Sequence, residues 1–221
     1  MKLHLMVPAI NIDPEWFSSC LQPLIGYCAK RGDINLNMTV NGKKANMSIV
    51  RESMAAGGLD AINDWSITAP FNGRYDYDYM LWVDSDVYFT PADFERLLKH
   101  DKEIVSGVYA YSHGYNERHE LLISMSAANI KNELYQQEHG LQPALWFGFG
   151  FVLIKRGVFE KIERPWFPTG KVPIAGRQGF CGEDISWCLQ ARAAGFDLWV
   201  DCSLRLPHKK ELFIFLPPEV A

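Results

Sequence analysis

Apolar and polar positions follow two distinct periods along this chain. Leu3 to Ile10 is almost wholly apolar and reads as a buried first strand. Asp13 and Pro14 come next, an N-cap followed by the residue best tolerated at the first helical position. Phe17, Cys20, Leu21, Leu24 and Cys28 then recur at helical spacing as far as Gly32, with Pro23 predicted to kink the rod. Ile34, Leu36, Met38 and Val40 alternate with polar residues, which predicts a second strand ending at the Asn41-Gly42 turn signal. Helical spacing returns from Asn46 through Met54 and stops at Gly57-Gly58.

Tyr79-Met80-Leu81-Trp82-Val83 has no alternation, the pattern of a central parallel strand covered on both faces. Asp84-Ser85-Asp86 stands where that strand ends, and Thr90, Pro91 and Asp93 form a capping-box arrangement leading into Phe94, Leu97 and Leu98. Further strands are predicted at Ile104 to Ala110, Leu122 to Ala127 and Phe149 to Ile154, and a short helix at Val158 to Ile162. Arg164 to Gly182 is rich in Pro and Gly and too long for an ordinary connection, so it reads as a candidate lid or a disordered loop. Glu183 to Ala194 is predicted helical with Gly195 after it, and Phe196 to Asp201 is predicted as a last strand. Strands alternating with helices imply an α/β sandwich.

Length and composition narrow this picture. A chain of 221 residues suits one domain, since a single core keeps growing to roughly 250 residues. With 48% hydrophobic and 22% charged residues it has a globular profile, not a disordered one. The net charge of -4 gives no cationic field for nucleic acid. The five cysteines Cys20, Cys28, Cys181, Cys188 and Cys202 contain no CxxC pair, which points to reduced thiols. No segment approaches the roughly 20 apolar residues of a membrane span, so a soluble, cytoplasmic protein without a transmembrane segment is expected.

Candidate chemistry gathers at a few places. Asp84 and Asp86, at i and i+2 past the carboxyl end of a central strand, lie where open α/β sheets bind ligands. A hard cation such as Mg²⁺ or Mn²⁺ is usually held by one or two carboxylates plus substrate phosphates, so this pair can anchor a diphosphate through a metal; an ordinary acidic turn is the alternative. A calcium loop fails, because Tyr88 and Phe89 stand where an oxygen ligand and a glycine are needed. Glu183 and Asp184 open a predicted helix, where the dipole favours ionised carboxylates; they serve either as a general base or as dipole complements only. His208, beside Pro207, is either a neutral imidazole ligand for the same metal or a structural histidine. In Trp146-Phe147-Gly148-Phe149-Gly150-Phe151, glycines inside an apolar strand imply close approach by a ligand or another backbone, with Trp146 and Gly148 lining a sugar pocket as one reading and core packing as the other. Arg51 faces either nucleotide phosphates or solvent.

LWVDSDVYFTPADFERLL, DKEIVSGVYAY, LWFGFGFVLIKRGVFEKI and GEDISWCLQARAAGFDLWVDCSLRLPH occur together and in order. The set resembles the GT-A family of nucleotide-sugar-dependent glycosyltransferases, especially the small enzymes of large DNA viruses and phages, and more distantly fungal mannosyltransferases of the Anp1 type. The resemblance implies a Rossmann-like α/β/α sandwich with a central mixed, mainly parallel sheet, divided into a nucleotide- and metal-binding half (1–110) and an acceptor and catalytic half (111–221). It implies a hexose transfer from a UDP- or GDP-sugar to a glycan, protein or lipid acceptor with Mn²⁺ or Mg²⁺ as cofactor, in the host cytoplasm if the chain is viral. It further implies that Asp86 and His208 hold the metal, that Asp84 contacts the ribose or the metal shell with Ser85 beside it, and that Pro8 and Ala9 touch the base. Asp184, or its neighbour Glu183, takes the place from which inverting members deprotonate the acceptor, whereas retaining members use acids there to grip sugar hydroxyls. Where many members carry an Arg-Asn pair this chain has Arg51-Glu52, so Arg51 is carried over only as a candidate phosphate contact. A sugar nucleotidyltransferase is disfavoured by the absence of a Gly-rich loop after the first strand, while a non-catalytic carbohydrate-binding or assembly module stands as the alternative.

Overall fold

In the computed structural model, which describes residues 1–41, 46–115, 121–174 and 177–209, the first apolar run forms β1 (Lys2–Pro8). Asp13 caps the first helix, its Oδ1 accepting from the Glu15 N–H at 2.9 Å. The rod then runs as α1 (Pro14–Trp16), a π-helical turn (Phe17–Leu21) and α2 (Gln22–Arg31). Pro23 offers no N–H to the turn before it, and the widened turn directly precedes it, so the kink takes the form of a π-turn. Gly32 closes the helix at φ 71°.

β2 (Asn35–Asn41) and α3 (Met47–Ala56) come next, α3 ending on Gly57 at φ 94°. Then come β3 (Tyr79–Val83), α4 (Pro91–Lys99) with the Thr90–Asp93 capping box, and β4 (Ile104–Tyr115). The second half holds β5 (Leu121–Met125), β6 (Ala127–Ala128), β7 (Leu141–Ala144), β8 (Trp146–Phe147), β9 (Phe151–Lys155), α5 (Val158–Lys161), β10 (Gly170–Ile174), β11 (Arg177–Cys181), α6 (Glu183–Ala193) and β12 (Leu198–Leu206).

The main sheet has the order β2-β1-β3-β9-β4-β12-β7, with β5 pairing β4. β1, β2, β3, β4 and β12 run one way and β9, β7 and β5 the other, so the sheet is mixed and mainly parallel. Successive residues of one strand feed opposite layers. Met80 and Trp82 of β3, with Val152 and Ile154 of β9, pack toward α3, α5 and α6, while Leu81, Val83, Phe151 and Leu153 pack toward the α1–α2 rod and α4. Burial on both faces is why β3 lacks alternation. The architecture is the expected α/β/α sandwich.

One expectation needs correction. The described residues of Arg164 to Gly182 are ordered, which sets aside the disordered alternative for them and leaves the lid reading open. The segment's first residues are pinned by Glu52, whose carboxylate accepts from Arg164 Nε at 2.8 Å and from the Phe167 N–H at 3.0 Å, and its second half is the β10–β11 hairpin. The second strand forms where the alternation predicts it, as the edge strand β2, with Leu36 packed on the core and Met38 and Val40 left 44% and 41% exposed. The apolar tail Leu212 to Leu216 lies outside the described residues. Among the described residues no helix is long and apolar enough to cross a membrane.

A buried carboxylate ties the sheet to α4. Asp201 of β12 is fully buried and accepts from Arg96 Nε and Nη2 at 2.6 and 2.9 Å, from His100 Nε2 at 2.8 Å and from the Ser203 N–H at 3.0 Å. Burial alone would raise its pKa, but the bonds from Arg96, His100 and Ser203 outweigh it and hold the carboxyl below its ordinary range. A lowered carboxyl pKa adds stability that is complete above the unfolded value near 4 and lost as pH falls through the folded value. Asp201→Asn should therefore cost about 2 kcal/mol at pH 7, less than a fully dry pair because the Arg96 side chain is 44% exposed, and the difference should be smaller at about pH 3. Urea denaturation of both proteins at the two pH values checks this; an equal gap at both would contradict it.

Candidate functional site

The carboxyl end of β3 is where the sequence places its acids, and two bonds fix the turn there. The Asp84 N–H donates to the Gly150 carbonyl at 3.1 Å, and the Val87 N–H closes back on the Asp84 carbonyl at 3.0 Å. The segment after β12 runs alongside. Val87 and His208 form an antiparallel bridge, the Lys209 N–H donates to the Asp86 carbonyl at 2.8 Å and the Tyr88 N–H to the Pro207 carbonyl at 2.8 Å. This pairing carries His208 across the chain to Asp86, with Nε2 3.1 Å from Asp86 Oδ2.

The other ring nitrogen settles what that contact requires. His208 Nδ1 lies 2.8 Å from the Ala110 carbonyl oxygen, which can only accept, so Nδ1 carries the hydrogen. A neutral ring then presents its Nε2 lone pair to a carboxylate oxygen that is also an acceptor. The two fit together when a proton lies between them or a cation binds both atoms. A separation of 3.1 Å also matches the edge of an octahedron with bonds of about 2.1 Å, about 3.0 Å, so the pair fits adjacent ligands of a small divalent cation.

Asp84 behaves differently from its expected partner. Its Oδ1 accepts from Arg51 Nη2 at 2.7 Å, and Arg51 Nη1 donates to Glu183 Oε1 at 2.5 Å. Among the described residues, no three His, Cys, Asp or Glu side chains gather as a metal cluster, so the expected trio of Asp84, Asp86 and His208 is not assembled. Arg51 is only 3% exposed, and its guanidinium lies 5.5 Å from the Phe149 ring. Its expected place facing phosphates is thus replaced by a buried bridge between the end of β3 and the start of α6. Burial would lower its pKa, but Asp84, Glu183 and Asp184 raise it, so the charge is retained.

Asp184, next to Glu183 in the first turn of α6, accepts from the Ile185 N–H at 2.7 Å. Burial pushes its carboxyl pKa above the ordinary value. Arg51 opposes that rise and the charges of Glu183 and Asp84 add to it. Of the two acids, Glu183 bonds Arg51 directly, whereas Asp184 bonds the Ile185 N–H.

Trp146 and Gly148 are not open to a sugar. Trp146 is 7% exposed, belongs to the core cluster and donates its indole N–H to Asn132 Oδ1 at 2.7 Å. A Cβ on Gly148 would overlap the Tyr109 hydroxyl, and one on Gly150 would come within 2.5 Å of Tyr109 Cε1 and 2.9 Å of Val87 Cγ2. The close approach signalled by these glycines is made by the chain's own Tyr109, whose ring also meets the His208 ring edge-on at 4.8 Å. Tyr109 escaped the sequence reading; the Gly-x-Gly pattern announces an intruder without identifying it. Pro8 and Ala9 lie buried at the end of β1, the Ala9 N–H bonded to the Asn41 carbonyl at 2.9 Å, and Ser85 sits half-exposed in the turn between the two aspartates.

No protein-family model and no curated protein sequence matches the chain. Among solved structures it is similar to the viral protein A197 from STIV, with TM-score 0.51 and 20% identity over 96% of this chain and 87% of that one. Lower scores link it to GalNAc-T7 solved with UDP, GalNAc and Mn²⁺ (TM-score 0.47, 10% identity, 96% of this chain and 43% of that one). A Drosophila β1,4-galactosyltransferase 7 complex with manganese, UDP-Gal and xylobiose is similar at TM-score 0.45 and 15% identity, over 95% of this chain and 71% of that one. The likeness to A197 is one of fold along nearly the whole chain.

Proposed function

We propose that this chain is a GT-A glycosyltransferase that moves a hexose from a nucleoside-diphosphate sugar, UDP- or GDP-linked, to a hydroxyl of a glycan, protein or lipid. The observation that carries the reading is the meeting of Asp86 and His208 past the end of β3, with Nε2 3.1 Å from Oδ2. These two residues would hold Mn²⁺ or Mg²⁺, the remaining positions falling to diphosphate oxygens and water. When bound, the ion supplies positive charge against the departing diphosphate. Asp84 has Oδ1 committed to Arg51 and no bond at Oδ2 among the described residues, which leaves Oδ2 for the donor ribose. Pro8 and Ala9 border the place for the base. Asp184 accepts the acceptor hydroxyl proton as that oxygen bonds the anomeric carbon and the bond from that carbon to the diphosphate oxygen breaks.

Release of nucleoside diphosphate from a panel of UDP-, GDP- and dTDP-sugars, with Mn²⁺, Mg²⁺ or EDTA, tests the proposal. Turnover of a donor with metal and none with EDTA is expected. A folded protein that turns over no donor under any of these conditions would overturn it.

A further inference from the structure

A second feature lies apart from the acid cluster. Trp65 is 64% exposed and stands at the rim of a cleft of about 460 Å³ between the loop carrying Ile67 and Thr68 and the end of α5 through Arg164. That volume lies within the range of small-ligand sites. Exposed tryptophans are usually loose, but this one is held. The Arg164 guanidinium sits 5.5 Å from its ring and 5.1 Å from the ring of fully buried Trp166. Arg164 is itself fixed, by Glu52 at 2.8 Å and by the Asp64 and Ile62 carbonyls at 2.7 and 3.1 Å. One face of the indole is therefore packed on a rigid cation, and the exposure belongs to the rest of the ring.

The polar groups around that ring include both donors and acceptors. The Trp65 indole N–H, the Thr68 hydroxyl and the Glu163 carboxylate make no hydrogen bond to any other described residue. Arg164 is committed to its ion pair with Glu52, while Lys161 lies over the face of Phe196 at 5.2 Å and keeps its ammonium donors. The carboxylates of Glu160 and Glu163 weigh against an anionic ligand, whereas a ligand rich in hydroxyls would find both donors and acceptors. Ile67 and Ile162 are 3% and 4% exposed, so no apolar surround widens the site toward the roughly 800 Å² that a protein partner covers. A pyranose has an apolar face of C–H groups ringed by hydroxyls, which matches one aromatic platform ringed by hydrogen-bonding groups.

We infer that the cleft of Trp65, Thr68 and Glu163 is a binding site for a neutral glycan, separate from the acid cluster. It requires no donor and no metal, so it stands or falls independently of the transfer reaction. The test is titration of the metal-free protein, in EDTA, with methyl glucoside, methyl mannoside, methyl galactoside, cellobiose, maltose and mannobiose, following the Trp65 indole N–H resonance, assigned by its loss in Trp65→Phe. At least one glycan should shift that resonance saturably, with a Kd on the order of 1 mM. By calorimetry, Trp65→Ala should weaken that glycan roughly tenfold or more and Glu163→Gln several-fold, with Trp65→Phe retaining part of the affinity. Nucleoside diphosphate release should stay at the wild-type rate in Trp65→Ala. Uridine monophosphate, added as a stacking ligand without a pyranose, should leave the resonance unmoved. The inference is overturned if no glycan shifts the resonance, if the affinity survives Trp65→Ala unchanged, or if the nucleotide binds there instead.

Discussion

Replacing Asp86 with alanine should reduce donor turnover roughly 10³-fold while leaving the protein folded. The two halves of that expectation have separate grounds. The side chain is 44% exposed, so its loss opens no buried cavity. The turn itself is held by backbone bonds of Asp84, Val87 and Lys209, none of which involves the Asp86 carboxylate. On the proposed reading, what disappears is one of the two residues that would hold the cation, and His208 alone would bind a hard, oxygen-preferring cation poorly. Asp86→Asn should be nearly as inactive, because it keeps the shape but lacks the charge. Raising Mn²⁺ should recover part of the activity in the asparagine variant, and His208→Ala should shift the metal requirement upward by about 10- to 100-fold without changing which donor is used. Thermal unfolding alongside steady-state diphosphate release separates the two effects. Turnover within tenfold of wild type at saturating metal would remove Asp86 from the metal site.

That the acids stand at the end of β3 was readable from five residues, because a strand without alternation has only one place in an α/β sheet and its carboxyl end faces the ligand crevice. Helix boundaries were equally readable wherever a local device sets them: Asp13 and Thr90 at the starts, Gly32 and Gly57 at the ends. These signals act over a few residues, so sequence carries them intact. The β10–β11 hairpin was not readable, since its pairing of Gly170 with Cys181 lies in a segment whose Pro and Gly content looks like an ordinary loop. Nor was the direction of Arg51. Its helix and spacing were apparent, but whether a long cation reaches solvent, a phosphate or a carboxylate depends on partners 33 and 132 residues away. The same holds for Tyr109, which fills the room left by Gly148 and Gly150 across 41 residues. The candidate site is assembled from long-range side-chain contacts, which hydrophobic periodicity does not encode.

Arg51 is accordingly where a single substitution should cost most in stability. It is the cation the structure places among Asp84, Glu183 and Asp184, and it bonds two of them directly. Its side chain is 4% exposed, with those of Asp84 and Glu183 at 24% and 16%, so water gives little screening. Arg51→Met keeps much of the volume against Phe149 but leaves three carboxylates facing one another. Breaking a buried pair by removing one partner costs about 3–5 kcal/mol, and the partial exposure of Asp84 places the expected loss at pH 7 near the lower figure, about 3 kcal/mol. The pH dependence has a definite sign. Without the cation that opposes its rise, the Asp184 carboxyl is held further above its unfolded value, so the folded variant binds more protons than its unfolded chain and its stability increases as pH falls. The gap between variant and wild type should therefore narrow steadily from pH 7 to pH 5. Here the variant gains on acidification, whereas the gap at Asp201 narrows at lower pH because the wild type loses. Denaturant unfolding across that range reads both the size and the slope. Arg51→Lys, which keeps a charge but cannot bond both carboxylates in one plane, should fall between the two and should not restore turnover fully. A variant as stable as wild type at pH 7, or one whose deficit grows on acidification, would mean that Arg51 does not neutralise this cluster.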